Sequence, residues 1–291
     1  MKRFLLSFLI ASMIFSCQTH QELGDKPVIS VSILPQEYFL KQLAGELVEV
    51  NVMIPPGASP ATYEPTVAQL RKLEQSASYF RIGHVGFELS WMDKIRSVNP
   101  EMKVVDLSKG VELIDEMEGA HESHHGHSHG GTDPHLWLSV ANARIIARNI
   151  YRELLPMFPD QEDELSRRYE KFTASLDSLQ EAIQLKLDGL EDRNFMIYHP
   201  ALTYFARDYQ LIQHSLEIEG KSPSPAHLRA MTDLARDHEI TRILIQNQFD
   251  RKNAEVLARE IGGELIEFDP LDPCWMDQML YIADQFTSKK P

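Results

Sequence analysis

The chain has little cysteine and a shortage of basic residues. Two of its 291 residues are cysteines, Cys17 and Cys274, so a disulfide framework cannot organise the fold. The 29 Lys and Arg residues face 43 Asp and Glu residues, which gives a formal net charge of −14. Because nucleic acids are bound through basic patches that replace their counterions, we expect no nucleic-acid partner, and cations are favoured as ligands.

Long apolar runs are also missing, apart from one near the N-terminus. Two basic residues precede an apolar stretch over 4–15, whose length of about 12 residues is well short of the roughly 20 that span a bilayer. This pattern predicts a secretory signal peptide over 1–16. Cys17 ends a segment that resembles a bacterial lipobox, which predicts its lipidation; a plain signal peptide is the alternative. Residues 17–26 would then be a lipid-anchored polar tether, which places the body in the periplasm or cell envelope.

Beyond the tether, short β-rich runs alternate with amphipathic stretches of helical length. Residues 28–34 are typical of a strand and 37–44 of a helix, and similar pairs recur towards the C-terminus. Such alternation predicts βαβ units with parallel sheets. We therefore expect an α/β fold with two lobes, 27–158 and 191–291, each with a parallel sheet flanked by helices.

A long helix is predicted between the two lobes, over residues 159–190. Pro156 and Pro159 mark a break before it, and no Pro occurs from there to residue 190. Apolar residues recur three or four positions apart: Leu165, Tyr169, Phe172, Leu176, Leu179, Ile183 and Leu187. At 1.5 Å per residue, about 30 residues extend for about 45 Å. A helix of this length can run along both lobes as a stiff backbone.

Histidine is abundant and unevenly distributed. Of the twelve histidines, five lie in a stretch rich in Gly and Ser over 118–131. They are His121, His124, His125, His127 and His129. Neutral imidazoles are zinc ligands, so this stretch is predicted to be a metal-attracting loop; a solvated linker is the alternative.

Four further residues are candidate metal ligands because of their places relative to the predicted strands. His84, His199 and Asp269 follow strand-like runs, and His135 lies between the histidine-rich stretch and a helical run. Ligands of open α/β sheets bind at the carboxyl ends of the strands, so we expect these four side chains to converge there. Imidazole and carboxylate suit Zn²⁺ and Mn²⁺, and the dispersed methionines disfavour copper.

Four segments resemble the motifs of a known family. They are MIPPGASPATYEP at 53–65, DPHLW at 133–137, YHPALTYFA at 198–206 and FDPL at 268–271. In this order they are similar to the zinc/manganese solute-binding proteins of bacterial ABC transporters. The resemblance spans nearly the whole chain beyond the predicted signal peptide.

Membership of that family would imply one metal ion bound in a cleft between two α/β lobes that a backbone helix joins. It would also imply that His135, His199 and Asp269 are ligands and that an ABC permease of the cytoplasmic membrane is the partner. Manganese-specific members usually carry Glu at the position of His199. The histidine there, with the histidine-rich stretch, favours Zn²⁺ over Mn²⁺.

The chain departs from the family at Ala61, where members usually present their first histidine ligand. A methyl group cannot coordinate a metal. Water could complete the site, a loop histidine could enter it, or His84 could replace the missing imidazole; we favour His84 as the fourth ligand. Glu64 lies close in sequence, and we expect it to be structural.

The sequence therefore favours a lipid-anchored, monomeric protein that captures zinc with high affinity and delivers it to a permease. No nucleophile elbow, Gly-rich phosphate loop or zinc-protease helix motif occurs, so we expect no enzyme activity. Two alternatives stay open. One is a zinc hydrolase that uses a water-open site of His135, His199 and Asp269, and the other is a zinc buffer or chaperone without a permease.

Overall fold

The computed structural model describes residues 26–115, 131–217 and 223–287. The predicted signal peptide and Cys17 lie outside the described residues, as do the tether up to residue 25 and all five histidines of the predicted loop. Within the described parts of the chain, no helix is both long and apolar enough to cross a membrane.

The first lobe is built on a four-stranded parallel sheet with the strand order β2-β1-β3-β4. Its strands are β1 (Val28–Val31), β2 (Glu49–Val52), β3 (Ser76–Arg81) and β4 (Lys103–Asp106). The helices are α1 (Leu34–Ala44), α2 (Val67–Glu74), α3 (Gly86–Val98) and α4 (Val140–Met157). The central strand β1 is almost entirely buried, as expected for a parallel strand that helices cover on both faces.

The second lobe repeats this arrangement, with the strand order β6-β5-β7-β8 and all pairs parallel. Its strands are β5 (Asn194–Ile197), β6 (Ile212–Ser215), β7 (Arg242–Gln246) and β8 (Glu264–Phe268). The helices are α6 (Thr203–Tyr209), α7 (Pro225–Asp237), α8 (Lys252–Glu260) and α9 (Trp275–Thr287). In each sheet the chain order reverses beside the first strand, which creates a crevice where ligands bind.

The long helix α5 runs over Glu162–Leu187, a span of 26 residues. It is shorter than the predicted 159–190 because a 3₁₀ turn occupies Pro159–Gln161 and because the helix ends at Leu187. At 1.5 Å per residue it is about 39 Å long. It packs against α1 and α4 of the first lobe and against α9 of the second, so it contacts both lobes along its buried stripe.

Pro156 does not end α4, contrary to the prediction that it marks a break. The helix continues to Met157, and the N–H of Phe158 still donates to Leu154 O at 3.1 Å. A proline so near the C-terminus removes one helical hydrogen bond without stopping the last turn. The break before α5 falls at Phe158 instead.

A buried aromatic cluster holds the second lobe against the first. Trp275 of α9 contacts Phe39 of α1 edge-to-face, with 4.9 Å between the ring centroids, and Phe172 of α5 packs 5.9 Å from Phe39. All three side chains are at most 2% exposed. One apolar core therefore continues from the first lobe through α5 into the second. The predicted fold class, two parallel-sheet α/β lobes with a long connecting helix, is confirmed.

Candidate metal centre

His135 lies in a tight turn just before α4. The carboxylate of Asp133 accepts a hydrogen bond from the His135 backbone N–H at 2.8 Å and lies 3.0 Å from His135 Nδ1. Burial raises the pKa of Asp133, but the charge and hydrogen bonds of His135 outweigh it, so the net pKa lies below its ordinary value. Asp133 is therefore ionised at neutral pH and orients the imidazole.

His199 follows the carboxyl end of β5 in the second lobe. Its Nδ1 lies 2.9 Å from Glu217 Oε2. Its ring stacks on Phe249, with 4.9 Å between centroids and 21° between planes. Its carbonyl oxygen accepts a hydrogen bond from Gln246 Nε2 at 2.7 Å. Both the backbone and the ring of His199 are thus held by neighbours.

The imidazoles of His135 and His199 lie edge-to-face, one from each lobe. Their ring centroids are 5.2 Å apart and their planes are inclined by 71°. Two imidazoles that bind one tetrahedral zinc ion at about 2 Å also have ring centroids about 5 Å apart. Each Nδ1 has a carboxylate partner, which leaves the two Nε2 atoms as the free ligand atoms.

Asp269 follows β8, and hydrogen bonds tie its loop to the segment that carries His135. Asp269 Oδ1 accepts hydrogen bonds from Leu271 N at 2.9 Å and Gln248 Nε2 at 3.0 Å. The indole N–H of Trp137 donates to Pro270 O at 2.7 Å, within the same loop. Trp137 is 1% exposed, so this bond between the lobes is shielded from water.

No group of three or more His, Cys, Asp or Glu side chains forms a ready metal site within the residues that the structure describes. The structure brings His135 and His199 together, whereas it does not assemble Asp269 or His84 with them as one preformed cluster. The predicted set of four ligands therefore stays a prediction.

The loop that carries Ala61 lies directly against the turn that carries His84. The N–H of Phe87 donates to Pro60 O at 2.7 Å, and a Cβ placed on Gly86 would lie 3.1 Å from Ala61 Cα. His84 is half-buried and has a left-handed backbone, with φ of 66°. The half-buried His84 is therefore a near neighbour of the position where the family's histidine is missing.

The turn before His84 is fixed by a carboxylate that sequence reasoning did not single out. Glu88 is 2% exposed and accepts hydrogen bonds from Ile82 N at 2.8 Å, Gly83 N at 2.7 Å and the hydroxyl of Ser32. Burial raises the pKa of Glu88 to about 7 against the opposing effect of these hydrogen bonds.

Sequence reasoning also missed the carboxylates beside these two imidazoles of His135 and His199. Glu217 lies two residues beyond β6, so the rule that selected His199 and Asp269, a polar residue after a strand, would have selected it too. Asp133 lies in the DPHLW segment at 133–137, but the sequence pattern predicted no role for it. Phe249 carries no sequence signal that distinguishes it from a core aromatic.

The protein thus has two parallel α/β lobes on a long helix. One imidazole from each lobe lies where the lobes meet, so the candidate metal site is between the lobes. A sequence model of one family, described as the zinc-uptake complex component A, periplasmic (ZnuA), matches residues 29–286. The chain belongs to this family. The resemblance to zinc/manganese solute-binding proteins is thereby confirmed.

Individual relatives agree with this assignment. The high-affinity zinc uptake system protein ZnuA of Bacillus subtilis is 30% identical over 254 residues, which cover 83% of this chain and 77% of that protein. The zinc-binding lipoprotein AdcA of Streptococcus pneumoniae is 27% identical over 92% of this chain, which spans only 54% of AdcA. A crystal structure of ZnuA matches with a TM-score of 0.83 and 34% identity, over 90% of this chain and 98% of that one.

Proposed function

We propose that the protein captures Zn²⁺ with high affinity outside the cytoplasm and delivers it to an ABC permease for uptake. The observation that carries this proposal is the pair His135 and His199, whose ring centroids lie at the separation expected for two ligands of one zinc ion. The names of the relatives, a zinc uptake protein and a zinc-binding lipoprotein, support zinc as the cargo. Histidine at position 199 supports Zn²⁺ over Mn²⁺.

The proposed ligand set is His135, His199, Asp269 and His84. Zinc prefers four ligands in a tetrahedron, and neutral imidazole and carboxylate are among its usual donors. In this proposal Asp269 and His84 complete the coordination of the ion together with the two imidazoles. The place of that turn, directly against Ala61, is what favours His84 over water or a loop histidine.

We further propose that Cys17 is lipidated and holds the protein, as a monomer, in the cell envelope. The name of the lipoprotein AdcA supports this location. The histidine-rich stretch raises the local zinc concentration and supplies no permanent ligand. A histidine must lose its proton before it can bind the ion, so capture should weaken as the solution becomes more acidic.

Zinc uptake by cells is the direct test of the proposed function. Cells that lack the gene should accumulate radioactive zinc from a zinc-limited medium when they carry the wild-type gene, and should fail to do so with His199→Ala. His238→Ala, which changes an exposed histidine of the same lobe, is the matched control and should behave as the wild type. Uptake that His199→Ala leaves unchanged would overturn the proposal. Zinc-dependent ester, phosphoester or peptide hydrolysis that His199→Ala abolishes would establish the hydrolase instead.

The fourth ligand is tested by moving the histidine between the two adjacent loops. We expect His84→Ala to weaken zinc binding, and the double variant Ala61→His with His84→Ala to recover much of it, because the position that the family uses is then filled. Competition with a chromophoric chelator measures the affinities. If His84→Ala binds zinc as tightly as the wild type, His84 is not a ligand.

A further inference from the structure

We propose that Glu217 is a positioning residue, which holds His199 in the one tautomer that can bind the ion. This inference rests on the proposed function, since it takes His199 as a ligand. Glu217 comes two residues after β6, and its N–H donates to Tyr198 O at 2.8 Å. The backbone thus fixes Glu217 beside the end of β5, directly against His199.

The contact between the two side chains sets the position of the imidazole proton. Glu217 Oε2 lies 2.9 Å from His199 Nδ1, and the side chain of Glu217 is only 7% exposed. In the proposed arrangement the carboxylate of Glu217 accepts this hydrogen bond and His199 Nδ1–H donates it, because a carboxylate oxygen offers only lone pairs. Burying a carboxylate without a hydrogen-bond donor costs free energy, so the contact between Glu217 and His199 Nδ1–H is favoured. The lone pair of His199 is then on Nε2, the atom that is free to bind zinc.

Phe249 and Gln246 restrict the motion of the ring. Phe249 covers one face of the His199 imidazole at 4.9 Å, and Gln246 Nε2 holds the carbonyl oxygen of His199 at 2.7 Å. A half-turn of the ring would place a carbon atom against Glu217 and forfeit the hydrogen bond. In the proposed arrangement the lone pair of His199 is on Nε2 before the ion arrives, and binding requires no change of tautomer.

The carboxylate also adds negative charge beside the bound ion. Asp133 stands in the same relation to His135 in the first lobe. If Asp269 is a direct ligand, as proposed, three carboxylates would contribute negative charge near an ion of charge +2. Such partners of ligating histidines raise the basicity of the ligand, and their loss typically weakens metal binding by about 10-fold to 100-fold.

The first test reads the tautomer directly in the metal-free wild-type protein. Long-range ¹H–¹⁵N NMR of the histidine side chains, at a pH where the imidazoles are neutral, shows which ring nitrogen carries the proton. We expect His199 to have a protonated Nδ1 and an unprotonated Nε2. A protonated Nε2 in the wild type would overturn the inference without any substitution.

The second test measures zinc affinity, by competition with a chelator, in two variants of the same residue. Glu217→Leu removes the acceptor and should weaken binding by about 10-fold to 100-fold, with loss of the fixed Nδ1–H tautomer. Glu217→Gln can present either its acceptor oxygen or its donor NH₂ to Nδ1, so it should fix the tautomer less firmly than the wild type and lose less affinity than the leucine variant. Glu255→Leu, at a half-exposed position on α8 where the carboxylate pairs with Arg251, is the matched control and should change neither property.

Failure of the inference can be told apart from failure of the proposed function. If His199→Ala abolishes tight binding while Glu217→Leu leaves both affinity and tautomer unchanged, the proposed function stands and the role of Glu217 is refuted. If His199→Ala itself leaves the affinity unchanged, the proposed function fails, and with it the premise of the inference.

Discussion

The buried carboxylate of Glu88 should make the stability of the metal-free protein depend on pH. It lies at the first turn of α3 and receives the N–H groups of Ile82 and Gly83, immediately before His84. Burial raises its pKa to about 7, whereas the hydrogen bonds to it and the nearby Arg81 oppose this rise. The perturbation that isolates the effect is Glu88→Gln, a neutral side chain of nearly the same shape.

The sign of the pH dependence of stability follows from comparing the pKa of Glu88 in the folded and unfolded chains. The carboxyl of Glu88 titrates near 4.5 when unfolded and about 7 when folded, so between these values the folded protein holds the proton more tightly. The protonated carboxyl stabilises the fold fully below pH 4.5, and this stabilisation is lost as the pH rises to about 7. The difference in pKa corresponds to about 3 kcal/mol in the free energy of unfolding.

Denaturant unfolding between pH 4.5 and 8, with a chelator present, measures this dependence. Other groups titrate in the same window, so the informative quantity is the difference between the wild type and Glu88→Gln at each pH. As the pH rises through this range, we expect the wild type to lose about 3 kcal/mol of stability relative to Glu88→Gln. Glu101→Gln, at an exposed position, is the control and should give a constant difference. A constant difference for Glu88→Gln as well would refute the reasoning.

Two further substitutions test contacts that support the site. Trp137→Phe removes the donor to Pro270 O at 2.7 Å and leaves a buried carbonyl unpaired, so denaturant unfolding should show a loss of about 1 to 3 kcal/mol; an unchanged stability would show that the bond between the lobes contributes little. Gly86→Ala places a Cβ 3.1 Å from Ala61 Cα, so the Ala61 loop must shift by a few tenths of an ångström, and denaturant unfolding should show a loss of stability relative to Gly189→Ala. Gly189→Ala, where nothing lies within 4 Å, should show no such loss, and equal effects of the two alanines would contradict the close approach.

The layout of the fold follows from local sequence patterns. Runs of β-branched and aromatic residues between amphipathic stretches predict parallel sheets, and the order of each sheet, with its crevice beside β1 or β5, agrees with a ligand at the carboxyl ends of the strands. The end of α4 was harder to predict. Proline is a helix breaker in general, but Pro156 falls where only one helical hydrogen bond is lost.

The site was only partly predictable for a physical reason. His199 is marked by its place after a strand, a local property of the chain. Its partner Glu217 is 18 positions away and meets it only because β6 pairs with β5, so the contact depends on tertiary structure. The Ala61 loop likewise lies against Gly86 only in the folded chain, and no pattern of residues in the sequence predicts this contact.

The most direct test of zinc capture at the meeting point of the two lobes is equilibrium dialysis of the chain from residue 18 onward, with the bound metal counted by mass spectrometry. The wild type should retain one tightly bound zinc per chain, and a variant without residues 119–130 should retain it too. His199→Ala should lose it. A tight zinc that survives His199→Ala and disappears with residues 119–130 would place the metal in the histidine-rich stretch and contradict the account.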